Sequence, residues 1–349
     1  MSKFTVVLIV PTGVGAAIGG YAGDALPVAR AVAEISDRLI THPNVLNGAQ
    51  LYWSLDNTYY VEGYGLDRFA ANQWGLRPVR QNKVGLLLDS GIEPELRLRH
   101  IQAADAVRGT LGLSLTDYIV TDAPLKVELR TADSGASWGT IGNPGSLLRA
   151  VDKLIDRGGA EAIAVVARFP DDDDSIELQN YRQGSGVDHL AGAEAVISHL
   201  IVRNFGIPAA HAPALKPLAV DPQVSPRAAA EELGYTFLPC VLVGLNRAPQ
   251  FVTQTELFSA DTIRSESVNV AIVPYTACGG SAIMSFANSS TEIIAVTNNS
   301  THINVPPEPL GIKVTKVNSY LEALGVLVAR KAGIDPQVFH PDIFSLRCI

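Results

Sequence analysis

Apolar residues along this chain fall into short continuous runs separated by alanine-rich stretches with helical spacing. Residues 4–10 form an unbroken apolar and β-branched run that stops at Pro11, as in a strand buried on both faces. Residues 84–88, 162–167, 268–273 and 292–296 repeat that pattern, and residues 38–41 and 241–243 read as shorter strands. Between them, residues 25–36, 147–156, 192–204 and 317–332 read as helices. Residues 226–233 add another helix, with Ser225 as N-cap and Gly234 just past its end. Strands alternating with helices predict an α/β fold, with a mostly parallel sheet covered by helices on both faces. Three segments share a layout of apolar strand, small-residue loop, helix, second strand and polar cluster. They begin at Val6, Ile163 and Val270, and suggest repeated βαβ units. Length adds an expected division into an N-terminal lobe, residues 1–135, and a C-terminal lobe, residues 136–349, with a site at their junction.

In an open parallel sheet, ligands bind beyond the carboxyl ends of the strands, so the loops there carry the candidate chemistry. Thr12, Gly13, Gly15, Gly19 and Gly20 follow the first strand, in the type of loop whose backbone N–H groups can hold a phosphate or carboxylate. The spacing is near the dinucleotide fingerprint without matching it, and the Lys-Ser/Thr of a P-loop is missing. Cys278, with Gly279 and Gly280, follows the strand at 268–273, where N–H dipoles would lower a thiol pKa and make a nucleophile or proton-transfer group. This loop resembles the cysteine loops of aspartate/glutamate racemase-like enzymes, which carry a cysteine after a strand in each half. The opposite loop here offers Thr12 instead.

Polar residues at other strand ends complete the set. His42 and Asn44, His211, and Asn298 with Asn299 each close a strand, and a histidine there can shuttle protons near neutrality. Asp188 precedes a helix as an acid or a cap. Arg247, just after residues 241–243, is a candidate anion clamp. The Gly/Ser/Trp stretch after Arg130 reads as a loop able to cover the rim. The acidic run 171–174 lacks the glycine and spaced glutamate of a calcium loop and reads as solvated; no metal-ligand spacing is present. Cys240 reads as core and Cys348 as a terminal residue without a role.

Composition narrows the setting. Lys and Arg total 27 against 35 Asp and Glu, a net charge of −8, which does not suit a nucleic-acid binder. With 47% hydrophobic residues the chain can bury a core. No apolar run approaches the roughly 18 residues of a membrane helix, and three widely spaced cysteines suggest a reducing compartment. The expectation is a cytoplasmic protein without nucleic-acid or membrane partners, of a size at which homodimers are common.

Several motifs together resemble a known family. They are Thr12-Gly-Val-Gly15, the stretch from Gly20 to Arg30, residues 40–45, Ser134 to Gly142, Ser225 to Glu231, and Ala277 to Gly280. These resemble bacterial proteins, cyanobacterial ones among them, grouped as a domain of unknown function (DUF3326). The resemblance covers nearly the whole chain. It implies a bacterial cytoplasmic setting and supplies no activity. The residues themselves point to a small-molecule enzyme for an anionic metabolite. Thr12 to Gly20 and Arg247 would bind it, and Cys278 with His42 or His211 would act on it as hydrolase, isomerase or lyase. The alternatives are a non-catalytic metabolite sensor and an NAD(P)-dependent oxidoreductase; no cofactor is assigned.

Overall fold

The computed structural model describes residues 3–46, 51–171, 175–234, 237–254, 257–343 and 345–346. Its largest sheet has six parallel strands. Their order is β14 (Thr315–Val317), β13 (Glu292–Val296), β12 (Val268–Pro274), β1 (Thr5–Leu8), β2 (Arg38–Thr41) and β3 (Thr58–Tyr60). A second parallel sheet runs β10 (Ala209–Ala214), β9 (Ala162–Arg168), β5 (Val84–Leu88) and β6 (Ile119–Val120). Two antiparallel pairs are added: β4 (Gly75–Arg77) with β11 (Gln250–Val252), and the hairpin of β7 (Val127–Thr131) and β8 (Ser137–Ile141).

The continuous apolar strands are explained by helices on both faces. Val6, Leu8 and Val10 join one core with Leu86, Leu88, Ala164 and Val166, whereas Val7 and Ile9 join the opposite core with Leu87, Ile163 and Val165. This is the two-residue alternation of a strand, with both sides apolar. The first core is closed by α1 (Leu26–Ile35), α4 (Pro94–Leu111), α9 (Leu238–Asn246) and α11 (Tyr320–Lys331), with Val45 and Leu46 of the short α2 (Pro43–Leu46). The second is closed by α3 (Gly63–Ala70), α5 (Pro144–Gly158), α7 (Ala191–Phe205) and α10 (Ser281–Ala287). The helices α6 (Ile176–Arg182) and α8 (Ala229–Glu232) lie outside both.

The expected α/β class with parallel sheets is what the structure has. β1–α1–β2 and β12–α10–β13 are adjacent βαβ units of one sheet. The division at residue 135 is not. The larger sheet takes strands from 5–60 and from 268–317, the smaller takes strands from both sides of the boundary, and residue 135 lies in the β7–β8 turn. Residues 84–214 thus form a layer inserted into the larger sheet's sequence. Residues 241–243 are helical, because an all-apolar run buried in α9 has no periodicity to separate helix from strand. The expected helix at 226–233 shrinks to the four residues of α8.

Asp89, 1% exposed, holds the rim of the smaller sheet together. Its carboxylate accepts the backbone N–H of Gly91 and of Leu125, each at 2.9 Å, and that of Arg168 at 3.1 Å. In Asp89→Ala these three donors lose their acceptor, which costs about 2 kcal/mol or more. The expected readout is a lower urea midpoint at unchanged slope, and an unchanged midpoint would contradict this role.

Candidate functional site

All strands of both sheets are parallel, so their carboxyl ends share a side within each sheet, and a cavity of about 420 Å³ opens there. Thr12 follows β1, His42 and Asn44 follow β2, Glu62 and Gly63 follow β3, and His211 and Pro213 belong to β10; all line it. The α7 end of the smaller layer supplies Asp188, Glu194, Ser198 and His199. The segment 215–234 closes the remaining side with Leu215, Pro217, Leu218, Glu231 and Leu233. The acids of the walls thus come chiefly from the α7 side and the covering segment, with Glu62 after β3.

Each acidic group has a defined setting. The Asp188 carboxylate accepts the Leu190 N–H at 2.9 Å, just before α7. Burial and then the neighbouring Glu194 push its pKa up to about 7. Glu231 is raised well above the ordinary carboxyl value, first by burial and then by Asp188. It accepts from the Tyr181 hydroxyl and, at 3.2 Å, from the Ala22 N–H. His211 has Ser198 Oγ 2.5 Å from Nδ1 and Glu194 3.6 Å from Nε2. Ser198 and Glu194 are one helical turn apart on α7, so one face presents both to the ring. Glu62 caps α3 through the N–H groups of Tyr64 and Gly65 and lies 3.0 Å from His199 Nε2. Burial acts to lower the His199 pKa, but the Glu62 carboxylate outweighs it and the net direction is up.

Two cations border the cavity, and both are already engaged. Arg182 pairs with Glu232 at 2.6 Å and donates to the Ala219 carbonyl, while Lys216 lies 3.2 Å from Asp171. Glu62, Asp188, Glu194, Glu231 and Glu232 thus face two engaged cations, which does not suit the expected anionic ligand.

The glycine loop is built for packing. Gly13, Gly15 and Gly19 have φ of +68°, +62° and +87°. A Cβ at Gly13 would overlap the Ser137 hydroxyl, because the β7–β8 turn lies directly on the loop and the Ser137 N–H donates to the Gly13 carbonyl at 2.8 Å. The Gly/Ser/Trp stretch, expected to cover the rim, packs on the glycine loop instead, and none of residues 134–142 lines the cavity. Three consecutive N–H groups of the loop are already engaged: Ala17 on the Ser300 carbonyl, Ile18 on Asn299 Oδ1 and Gly19 on Asp24 Oδ1. Asn299, fully buried, also donates to the Ile18 carbonyl, and Asn44 donates to that of Gly19. Gly20 has no room for a side chain beside the Ala16 carbonyl. A dinucleotide pyrophosphate needs those N–H groups free at a helix start, and α1 begins only at Leu26, so the loop does not fit that group.

Several expected residues lie outside the cavity lining. Cys278 is fully buried, and burial raises its thiol pKa to about 11, which removes the thiolate a nucleophile requires. Gly279 packs on Val305, and Gly280 precedes α10 at the surface. Asn298 is exposed, with its backbone N–H on the Asn318 carbonyl. Arg247 follows a helix rather than a strand and pairs with Asp56 at the surface, 3.0 Å away. Of the acidic run, Asp171 is an ion-pair partner of Arg168, and residues 172–174 lie outside the described residues, as does Cys348. Thr12, His42, Asn44, Asp188 and His211 are brought together. Glu62, Ser198 and Glu231 join them without having been expected.

A family model described as "Protein of unknown function (DUF3326)" matches residues 5–340. The chain belongs to this family. It is 62% identical over 339 residues to a Synechococcus sp. protein named an uncharacterized lipoprotein, covering 97% of this chain and 94% of that relative. No solved structure matches. The relative's name contradicts the expected cytoplasmic setting, which is withdrawn. No helix among the described residues is long and apolar enough to cross a membrane, and attachment through lipid requires none.

Cys240 is buried like Cys278, at 2% exposure against 0%. Both are expected to resist iodoacetamide in the folded protein and to react on unfolding, as read by peptide mass mapping. Rapid native labelling of Cys278 would restore it as a nucleophile.

Proposed function

We propose that this protein is a small-molecule enzyme whose active site is the cavity at the strand ends, working by general acid–base catalysis on an uncharged or cationic substrate. The observation that carries the reading is the enclosure of Asp188, Glu194 and Glu231 with His211 in one cavity. Carboxyls that share a buried site cannot all be ionised, so at least one holds a proton near neutrality. An acid with a pKa close to the working pH both gives and takes protons efficiently. Asp188 is that group, with burial and then Glu194 keeping its proton affinity high.

His211 is the second proton carrier. When Ser198 donates to Nδ1, the ring proton sits on Nε2 and faces Glu194. The apolar residues of segment 215–234 would take the body of the substrate. Perturbed acids in a cleft mark a candidate catalytic site, and the engagement of Arg182 and Lys216, the Arg and Lys among the described lining residues, argues against a phosphorylated substrate.

The test is incubation of the protein with an extract of uncharged, cationic and anionic metabolites, followed by mass spectrometry for consumed or isomerised compounds. Asp188→Asn is expected to slow any such turnover about 100-fold or more. Equal turnover by the variant, or turnover confined to anionic compounds, would contradict the proposal.

The same variant has a stability signature. The Asp188 carboxyl has a higher pKa folded than unfolded, so ionising it opposes folding. Wild-type stability therefore falls as pH rises from the ordinary aspartate value near 3.8 to about 7, and is flat with respect to this group above that. Asp188→Asn is expected to melt about 2 °C or more above wild type on the alkaline side of that window, with a smaller gap at its acid end. A gap that is constant with pH would contradict the shifted carboxyl.

A further inference from the structure

His42 joins β2 to α2, and one hydrogen bond fixes its protonation. The backbone N–H of Val10, just past β1, donates to His42 Nε2 at 3.0 Å. A nitrogen that accepts a hydrogen bond carries no proton, so the single ring proton is on Nδ1. An imidazolium would set its own Nε2–H against the Val10 N–H, and the buried rim of the sheet leaves that amide no other partner. The ring is 8% exposed and lines the cavity. Among the described residues Nδ1 has no hydrogen-bond partner, and it is not one of the sealed, partnerless polar atoms, so it retains open surface, which the cavity supplies.

We infer that His42 donates its Nδ1–H to an oxygen of the substrate, and that the substrate is an uncharged carbonyl compound. This rests on the acid–base reading of the cavity given above. A donor held neutral by backbone geometry cannot serve as the acid or base expected of it in the sequence. It can bind an acceptor and stabilise negative charge that develops on it. Anionic acceptors are disfavoured by the carboxylates on the same walls. Among uncharged acceptors, a carbonyl oxygen is the one that gains negative charge when a neighbouring proton is removed or a nucleophile adds. Burial also lowers the His42 pKa to about 4, in keeping with a ring that stays neutral.

The test uses the whole protein labelled with ¹⁵N-histidine, read by long-range ¹H–¹⁵N correlation, with His42 assigned by its loss in His42→Gln. The glutamine carbonyl can still accept from Val10. The expected result is the Nδ1–H tautomer, unchanged on acidification from the ordinary histidine value near 6.5 toward 4. An Nε2–H tautomer, or an imidazolium in that window, would overturn the inference in the wild-type protein without reliance on any variant. Acetophenone, benzamide and cyclohexanone are then added in turn, with ethylbenzene as the probe lacking oxygen. At least one carbonyl probe is expected to shift the His42 Nδ1–H signal, ethylbenzene is not, and His42→Gln is expected to bind that probe about tenfold more weakly. No shift with any carbonyl probe would overturn the inference. Failure of the acid–base reading would show separately, as undiminished turnover in Asp188→Asn.

Discussion

Carboxyl groups buried side by side cannot all carry charge, and the rim of this molecule is organised around that constraint. Asp188 just before α7, Glu194 on α7 and Glu231 on the covering segment meet at the ends of strands that themselves contribute Glu62, His42 and His211. In water each acid would ionise independently. Enclosed together, Asp188 is raised by burial and by Glu194, and Glu231 by burial and by Asp188. Segment 215–234 shapes both the cavity and its electrostatics, since it supplies Leu215 and Leu218 as well as Glu231 and Glu232 to the lining.

The position of the cluster follows from strand direction. Parallel strands deliver their terminal residues to one edge, and burial of both faces leaves that edge as the place where polar groups can collect. The glycine loop after β1 serves this arrangement structurally. Its positive-φ turn lets the β7–β8 hairpin lie against it, and Asn299 and Asp24 consume its amides. Thr12 is left at the cavity, and the amides of residues 17–19 are engaged within the protein. His42 is likewise fixed by the backbone of β1, so a neutral donor stands opposite the acids.

What could be read from sequence was what local pattern determines. The strands β1, β2, β5, β9, β12 and β13 announced themselves through continuous apolar runs, and the parallel rim followed from their order. His42, Asn44, Asp188 and His211 were legible because strand ends and helix starts are local features. Glu62 was not, since β3 spans three residues and carries no period. Glu231 reaches the cavity only because Tyr181 and Ala22 receive it across the fold. The glycines around Cys278 matched an activated thiol equally well as a buried one, and only the packing of the thiol decided between them. Arg247 failed because α9 is apolar on every side, which hides its helical period.

The central claim is that protons are shared among buried acids in this cavity. The direct measurement is a ¹³C NMR titration of protein labelled at the Asp and Glu carboxyls, with Asp188→Asn and Glu231→Gln to assign the signals. The account predicts one aspartate and one glutamate that remain protonated well above the ordinary carboxyl range, and a lower pKa for each when the other is neutralised by substitution. If every carboxyl titrates in the ordinary range near 4, the cavity holds ionised, solvated acids and the account is contradicted.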